Sequence, residues 1–153
     1  MVPNSDVALE LFRDRDRSSD SFRVIQLVTV DPSGRPRIAL LGDAEIFFGD
    51  AATVNLLLWQ KSHTAKNLTI GSQGLLSVVV DQAFVSIWFV ANAHVDVNIG
   101  STAFKKITGA ITASKTDTVP YARLLGGLEF ELLDDGARSR WVAARRVLNS
   151  EAG

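Results

Sequence analysis

From residue 22 onward, apolar positions alternate with polar ones or gather in short runs. The breaks between runs fall on glycine, proline, aspartate and asparagine. Val24-Ile-Gln-Leu-Val-Thr-Val30 is β-branched and predicts a strand. Asp31-Pro-Ser-Gly34 has the residue order of a type I turn, and Pro36–Leu41 returns as the second arm of a hairpin. Gly42-Asp43 breaks that arm, and Ala44–Phe48 predicts a third strand. Gly49–Thr53 reads as a turn with one helical turn capped by Asp50, before a fourth strand over Val54–Gln60. The period of two is then lost. Ser62 as a cap, with Ala65 and Leu68 three apart, predicts a short helix ended by Gly71.

Strands follow at Gly74–Val80 and Phe84–Val90, with a continued strand and a loop at Asn98–Ser101 beyond. Ile107–Thr112 is a strand with Gly109 inside it, a sign of a bulge or a tight bend. Pro120 near its start and Gly126-Gly127 at its end mark Asp117–Leu125 as a short helix. Leu128–Leu133 alternates as a last strand. Ala137–Asn149 is an amphipathic helix, with Trp141, Ala144 and Leu148 on one face and Arg138 and Arg145 on another. Upstream, Asp6–Phe12 predicts a helix, followed by alternating charges at Arg13–Arg17 and a serine-rich linker. Seven or eight short strands with few helices predict a mainly β, antiparallel sandwich or barrel. The runs 24–30, 54–60 and 74–80 are apolar on both faces. Their outer faces therefore need a cover, either a helix or another subunit.

At 153 residues the chain has the length of one domain, spanning 1–153 with an N-terminal segment over 1–20 and a C-terminal helix over 134–153. Composition mainly excludes. Lys and Arg number 16 and Asp and Glu 17, so the net charge of -1 supplies no bulk field to hold nucleic acid or an anionic membrane. The absence of cysteine removes disulfides, thiolate metal sites and cysteine nucleophiles, and two histidines cannot build a histidine cage, so no metal site is expected. No run free of charge is longer than Gln82–Val95, which is shorter than the ~18 residues of a transmembrane helix. The N-terminus lacks the pattern of a secretory signal, so the expected compartment is the cytoplasm.

The stretch that carries chemistry is Lys61-Ser-His-Thr-Ala-Lys66. A strand ends there and a helix opens. Amides at a helix start, the Ser62 and Thr64 hydroxyls, and Lys61 and Lys66 together suit a phosphate. The plainer alternative is that the serine caps a helix and the lysines face water. His94 and Asp96 share a face, but no nucleophile motif lies near them. Trp59 and Trp88 read as core, or as flanks of a flat ring or an interface. Tyr121 reads as packing. Arg138, Arg140, Arg145 and Arg146 read as a solvated helix face.

The order of these features is similar to that of the pyridoxamine 5′-phosphate oxidase-like, FMN-binding split β-barrel family. The likeness runs over residues 22–81: the first strand, Asp-Pro-Ser-Gly-Arg-Pro at 31–36, the strand and loop Leu56–Leu68, and the apolar run Leu75–Val80. Ile107-Thr-Gly-Ala-Ile111 resembles that family's later strand with its internal glycine. The resemblance implies a Greek-key-like split barrel with short flanking helices, a homodimer, and FMN held between subunits. It implies cofactor contacts at Arg37, Trp59, Gln60, Lys61, Ser62, His63, Thr64, Lys66 and Asn67, and no catalytic side chain. Ser62 and Lys66 match the family's serine and a later lysine, and Arg37 an arginine on the second strand. His63 and Thr64 stand where the true oxidases carry arginine and lysine, and Gly42 where they carry lysine, so oxidation of pyridoxine phosphate itself is not expected. The activity implied is a flavin-dependent oxidoreductase acting on a small substrate or acceptor, with a nicotinamide as donor. The alternatives are a deazaflavin-dependent reductase, a flavin- or haem-binding module without catalysis, and a barrel that has lost its cofactor.

Overall fold

A computed structural model describes residues 23–50 and 52–150, and the helix and linker expected before residue 22 lie outside it. The chain forms β1 (Val24–Val30), β2 (Pro36–Gly42), a 3-10 turn (Asp43–Glu45), β3 (Ile46–Asp50) and β4 (Thr53–Trp59). Then come α1 (His63–Asn67), β5 (Gln73–Val80), β6 (Ala83–Ile99), β7 (Thr102–Asp117) and α2 (Asp135–Ser150). The strands make one antiparallel sheet in the order β2-β1-β5-β6-β7-β4-β3. Two hairpins, β1–β2 and β3–β4, flank a β5-β6-β7 meander.

The sheet is curled. Buried side chains from all seven strands, among them Leu27, Ile46, Leu56, Leu76, Phe89 and Ile107, form one cluster. A flat sheet of seven strands could not bring them together. Helix α1 drops Ala65 and Leu68 into that cluster and packs against β1 and β4, which are not neighbours in the sheet. The two ends of the sheet, β2 and β3, are not paired; the 3-10 turn connects them. This is a split barrel.

The β1–β2 turn follows from local chemistry. The Gly34 N–H donates to the Asp31 carbonyl at 2.9 Å, and Gly34 takes φ of +83°, which suits glycine. Between β6 and β7 the register shifts at Trp88/Phe89 and at Ala91/Ala93, beside the pair Ala91–Gly109. Gly109 also leaves room for the Phe89 ring, because a Cβ there would run into it. The bulge expected at the internal glycine is thus present, carried by the partner strand.

Helix α2 is the cover required by the two-faced strand β4. Val54, Leu56 and Leu58 face the barrel cluster, while Leu57 joins Phe104 of β7 and Ala144 and Leu148 of α2 in a second cluster. Asp134 starts the helix by accepting the Ala137 N–H at 2.6 Å. Trp141 lies over Gly42 and meets Phe130 with ring centroids 5.1 Å apart.

Three expectations fail. Residues 117–125 form no helix. The β6–β7 ladder runs on to Asp117, and Val119 then bridges Ala122 across a tight turn at Pro120. The apolar residues of that segment are exposed, Tyr121 at 86% and Leu125 at 92%, so it has no face to bury and Tyr121 is not packing. Residues 128–133 form no strand. They meet the start of β1 through an Arg23–Glu129 bridge and the Val24 N–H to the Leu128 carbonyl at 3.0 Å. From Gln26 to Val28, β1 has β2 on one edge and β5 on the other, and no edge remains. The helical turn expected near Asp50 is absent too, since β3 reaches Asp50 and β4 begins at Thr53. No helix among the described residues is long and apolar enough to cross a membrane.

Candidate functional site

Strand β4 ends at Trp59, and the chain turns into α1. The Ser62 N–H donates to the Trp59 carbonyl at 3.0 Å, and the Ser62 hydroxyl accepts the Ala65 N–H at 3.1 Å. Ser62 is therefore a helix cap, as its spacing predicted, and its O–H proton remains available to a ligand. The helix is five residues long, so its aligned dipoles add little.

Beside this turn lies a cavity of about 430 Å³. That lies within the ~300–1,000 Å³ range of small-molecule sites. Its floor is Leu57, Leu58 and Phe104, one wall is β2 at Ala39–Leu41, and the other is α2 at Ala137, Arg140, Trp141 and Ala144. Trp59, Ser62 and Thr64 stand at the α1 side, and Glu45 of the 3-10 turn lines it as well. The lining is mostly apolar with a few hydroxyl and charged groups, the usual make-up of a small-molecule site.

Of the residues expected to hold a cofactor, Trp59, Ser62 and Thr64 line this cavity. Trp59 is 67% exposed, which removes it from the core. Lys61, His63 and Lys66 are exposed on the same turn and do not line the cavity. Gln60 is half-buried, and its N–H donates to the Ala103 carbonyl at 3.1 Å. Asn67 is turned to the barrel, donating from Nδ2 to the Thr29 hydroxyl at 3.2 Å. Arg37 stands opposite Thr29 across the β1–β2 ladder, and its Nε pairs with the Asp31 carboxylate at 3.1 Å.

The lining residues outside the expected set include the polar and aromatic side chains of Glu45, Thr102, Arg140 and Trp141. Glu45 sits in the run assigned to the third strand. The Gly42-Asp-Ala-Glu45 spacing of a capped turn was its one signal, and Glu45 Oε1 does accept the Gly42 N–H at 3.1 Å. Burial pushes the Glu45 carboxyl up to about 7, against that hydrogen bond, which lowers it. Arg140 belongs to the arginine set read as a solvated face. It is exposed, as are Arg138 and Arg146, yet it also edges the cavity. Gly42, where the family's oxidases carry lysine, has no space for a side chain because the Trp141 indole fills it. His94 and Asp96 are exposed on β6, away from the cavity. Among the described residues no group of three or more His, Asp or Glu could hold a metal ion.

No family model matches the sequence, and a search of curated proteins finds no match. Solved structures do match in fold. A Lactobacillus delbrueckii chain described as a pyridoxamine 5′-phosphate oxidase is 22% identical, with a TM-score of 0.50 over 61% of this chain and 84% of its own. An FMN-binding protein of Syntrophomonas wolfei is 13% identical, with a TM-score of 0.50 over 74% of this chain and 96% of its own. An F420 reductase is 12% identical, with a TM-score of 0.50 over 63% of this chain and 91% of its own. The chain has the split β-barrel fold of the pyridoxamine 5′-phosphate oxidase-like and FMN-binding proteins.

Proposed function

We propose that this chain binds FMN, with the ring in the cavity between β2, β4 and α2 and the phosphate at the turn Lys61–Lys66. The observation that carries the reading is the placement of the Ser62 and Thr64 hydroxyls at one side of an apolar slot, with two lysines exposed on the same turn. The FMN-binding protein with the same fold supports it. Bound flavin would supply two-electron chemistry between a nicotinamide donor and a small acceptor. The protein would hold the phosphate through Ser62, Thr64, Lys61 and Lys66, and keep water off the ring with Leu57, Phe104 and Trp141. No side chain need act as acid or base toward the acceptor.

We also propose that the working unit is a homodimer. Ile38, Val28, Leu75, Trp88 and Ala113 are consecutive partners across five strands. Their neighbours Leu27, Leu76 and Ile87 point into the barrel, so this apolar row points out. Ile38 is 64% exposed. A second copy of the chain would cover the row.

Titration of the purified protein with FMN and with riboflavin tests the cofactor reading, because riboflavin lacks the phosphate. FMN should bind more tightly. Equal affinities would overturn the role of the turn, and binding of neither would overturn the flavin. Deazaflavin binding in place of FMN would assign the second cofactor, that of the F420 reductase with the same fold.

A further inference from the structure

Among the described residues, Glu45 is the one carboxyl that lines the cavity. Its Oε1 is fixed by the Gly42 N–H at 3.1 Å. The other residues that line the cavity are almost all neutral, among them Leu41 on β2, Leu57 and Leu58 on β4, Ser62 and Thr64 beside α1, and the Trp141 indole on α2. Three charged residues belong to the same part of the fold. Asp43, on the same turn, is paired with Arg23 at 3.4 Å, and Arg140 of α2 edges the cavity. A carboxyl enclosed by apolar walls favours its neutral form, in line with the upward shift to about 7.

Resting on the flavin reading, we propose that Glu45, as the neutral acid, is the polar anchor of the cavity and pairs with the imide edge of the bound ring. A carboxylic acid offers an O–H donor beside a carbonyl acceptor. The imide edge of an isoalloxazine offers an N–H beside a carbonyl, so each group can satisfy the other. The ionised carboxylate has no proton to give the ring carbonyl, and it would be left charged against a mostly apolar lining. Ligand binding therefore holds the proton on Glu45, and affinity falls as pH rises through the carboxyl's own titration.

The test uses the full chain and lumiflavin, which carries the ring without the phosphate, titrated by fluorescence from pH 5.5 to 8.5. The parent should lose roughly tenfold to thirtyfold in affinity over that range. Glu45→Gln should bind as the parent does at low pH and show no pH dependence, because a carboxamide keeps one donor and one acceptor at every pH. Glu45→Leu should bind weakly throughout, and methylation of the imide nitrogen, which removes the ring's donor, should weaken binding to the parent at low pH. A parent with no slope, or a Glu45→Gln variant that keeps it, overturns the anchor. If lumiflavin responds to Glu45 but FMN binds no more tightly than lumiflavin, the anchor stands and the phosphate turn fails. If both flavins bind and neither responds to Glu45, the anchor alone fails. If neither binds, both readings fail.

Discussion

A carboxyl held at about 7 destabilises the folded chain whenever it is ionised. In the unfolded chain Glu45 titrates near the ordinary value of ~4.3. Its effect is therefore absent below that pH, grows as pH rises, and is complete above about 7. The displacement corresponds to roughly 3 kcal/mol. Glu45→Gln should raise the midpoint of urea unfolding at pH 8 and leave it nearly unchanged at pH 4.5. An equal effect at both pH values would show that Glu45 is not buried as described. Lys66 differs from Glu45 in being exposed. A charge-assisted contact with phosphate is worth ~1.5–3 kcal/mol, so Lys66→Ala should weaken FMN binding roughly tenfold to a hundredfold, with no change for riboflavin. Calorimetry at low and high salt checks it, and the effect should shrink in salt.

The hairpin and the C-terminal helix behave differently as elements. Asp31 organises the β1–β2 turn. Its carboxylate accepts from the Ser33 hydroxyl at 2.6 Å, the Arg35 N–H at 2.9 Å and Arg37 Nε at 3.1 Å. These bonds, the Ser33 hydroxyl first, hold it down to about 2. A lowered carboxylate stabilises above its unfolded value near ~3.9 and loses that contribution as pH falls toward 2. Asp31→Ala should therefore lower stability at pH 6 and flatten the decline below pH 4, as read by thermal unfolding. Helix α2 depends on packing instead. Leu148 is fully buried under it, so Leu148→Ala should cost ~2–5 kcal/mol in urea unfolding. Gly42→Ala pushes on the same helix from the other side, into Trp141, and should cost ~1–3 kcal/mol. Shortening the indole in a Gly42→Ala/Trp141→Leu double variant should recover part of that loss.

For the molecule as a whole, the curl of the sheet decides which apolar faces are satisfied. The inner face is filled by one cluster, and β4 has α2 on its outer side. The outer row from Ile38 to Ala113 crosses five strands, and among the described residues no element lies over Ile38. An apolar stripe of this kind is expected to associate. Light scattering at micromolar concentration should report a dimer, and Ile38→Lys should convert it to a monomer that still folds, because Ile38 points away from the core. A parent that is monomeric at that concentration would remove the dimer.

Much of the barrel is legible from residues alone because the responsible forces are local. The hairpin at 31–34 is written in its turn residues, and α1 in the Ser62 cap with the Ala65–Leu68 spacing. The apolar pattern of α2 marks the face it buries at Ala144 and Leu148. Two-faced β4 signals a missing cover without saying which element supplies it. Segments 117–125 and 128–133 misread for a different reason. Their local pattern is adequate, but the ladder into Asp117 and the occupied edges of β1 leave them no partner. The candidate site divides in the same way. Ser62, Thr64 and Trp59 lie within six residues and could be read as one turn. Glu45, Arg140 and Trp141 join them only when α2 folds across β4 and β2, close to a hundred residues after Glu45. Sequence periodicity determines which face of an element is apolar. Where two distant elements enclose a cavity, and how far that enclosure shifts a carboxyl such as Glu45, is decided by tertiary packing, because burial and the dielectric around a group are properties of everything packed near it.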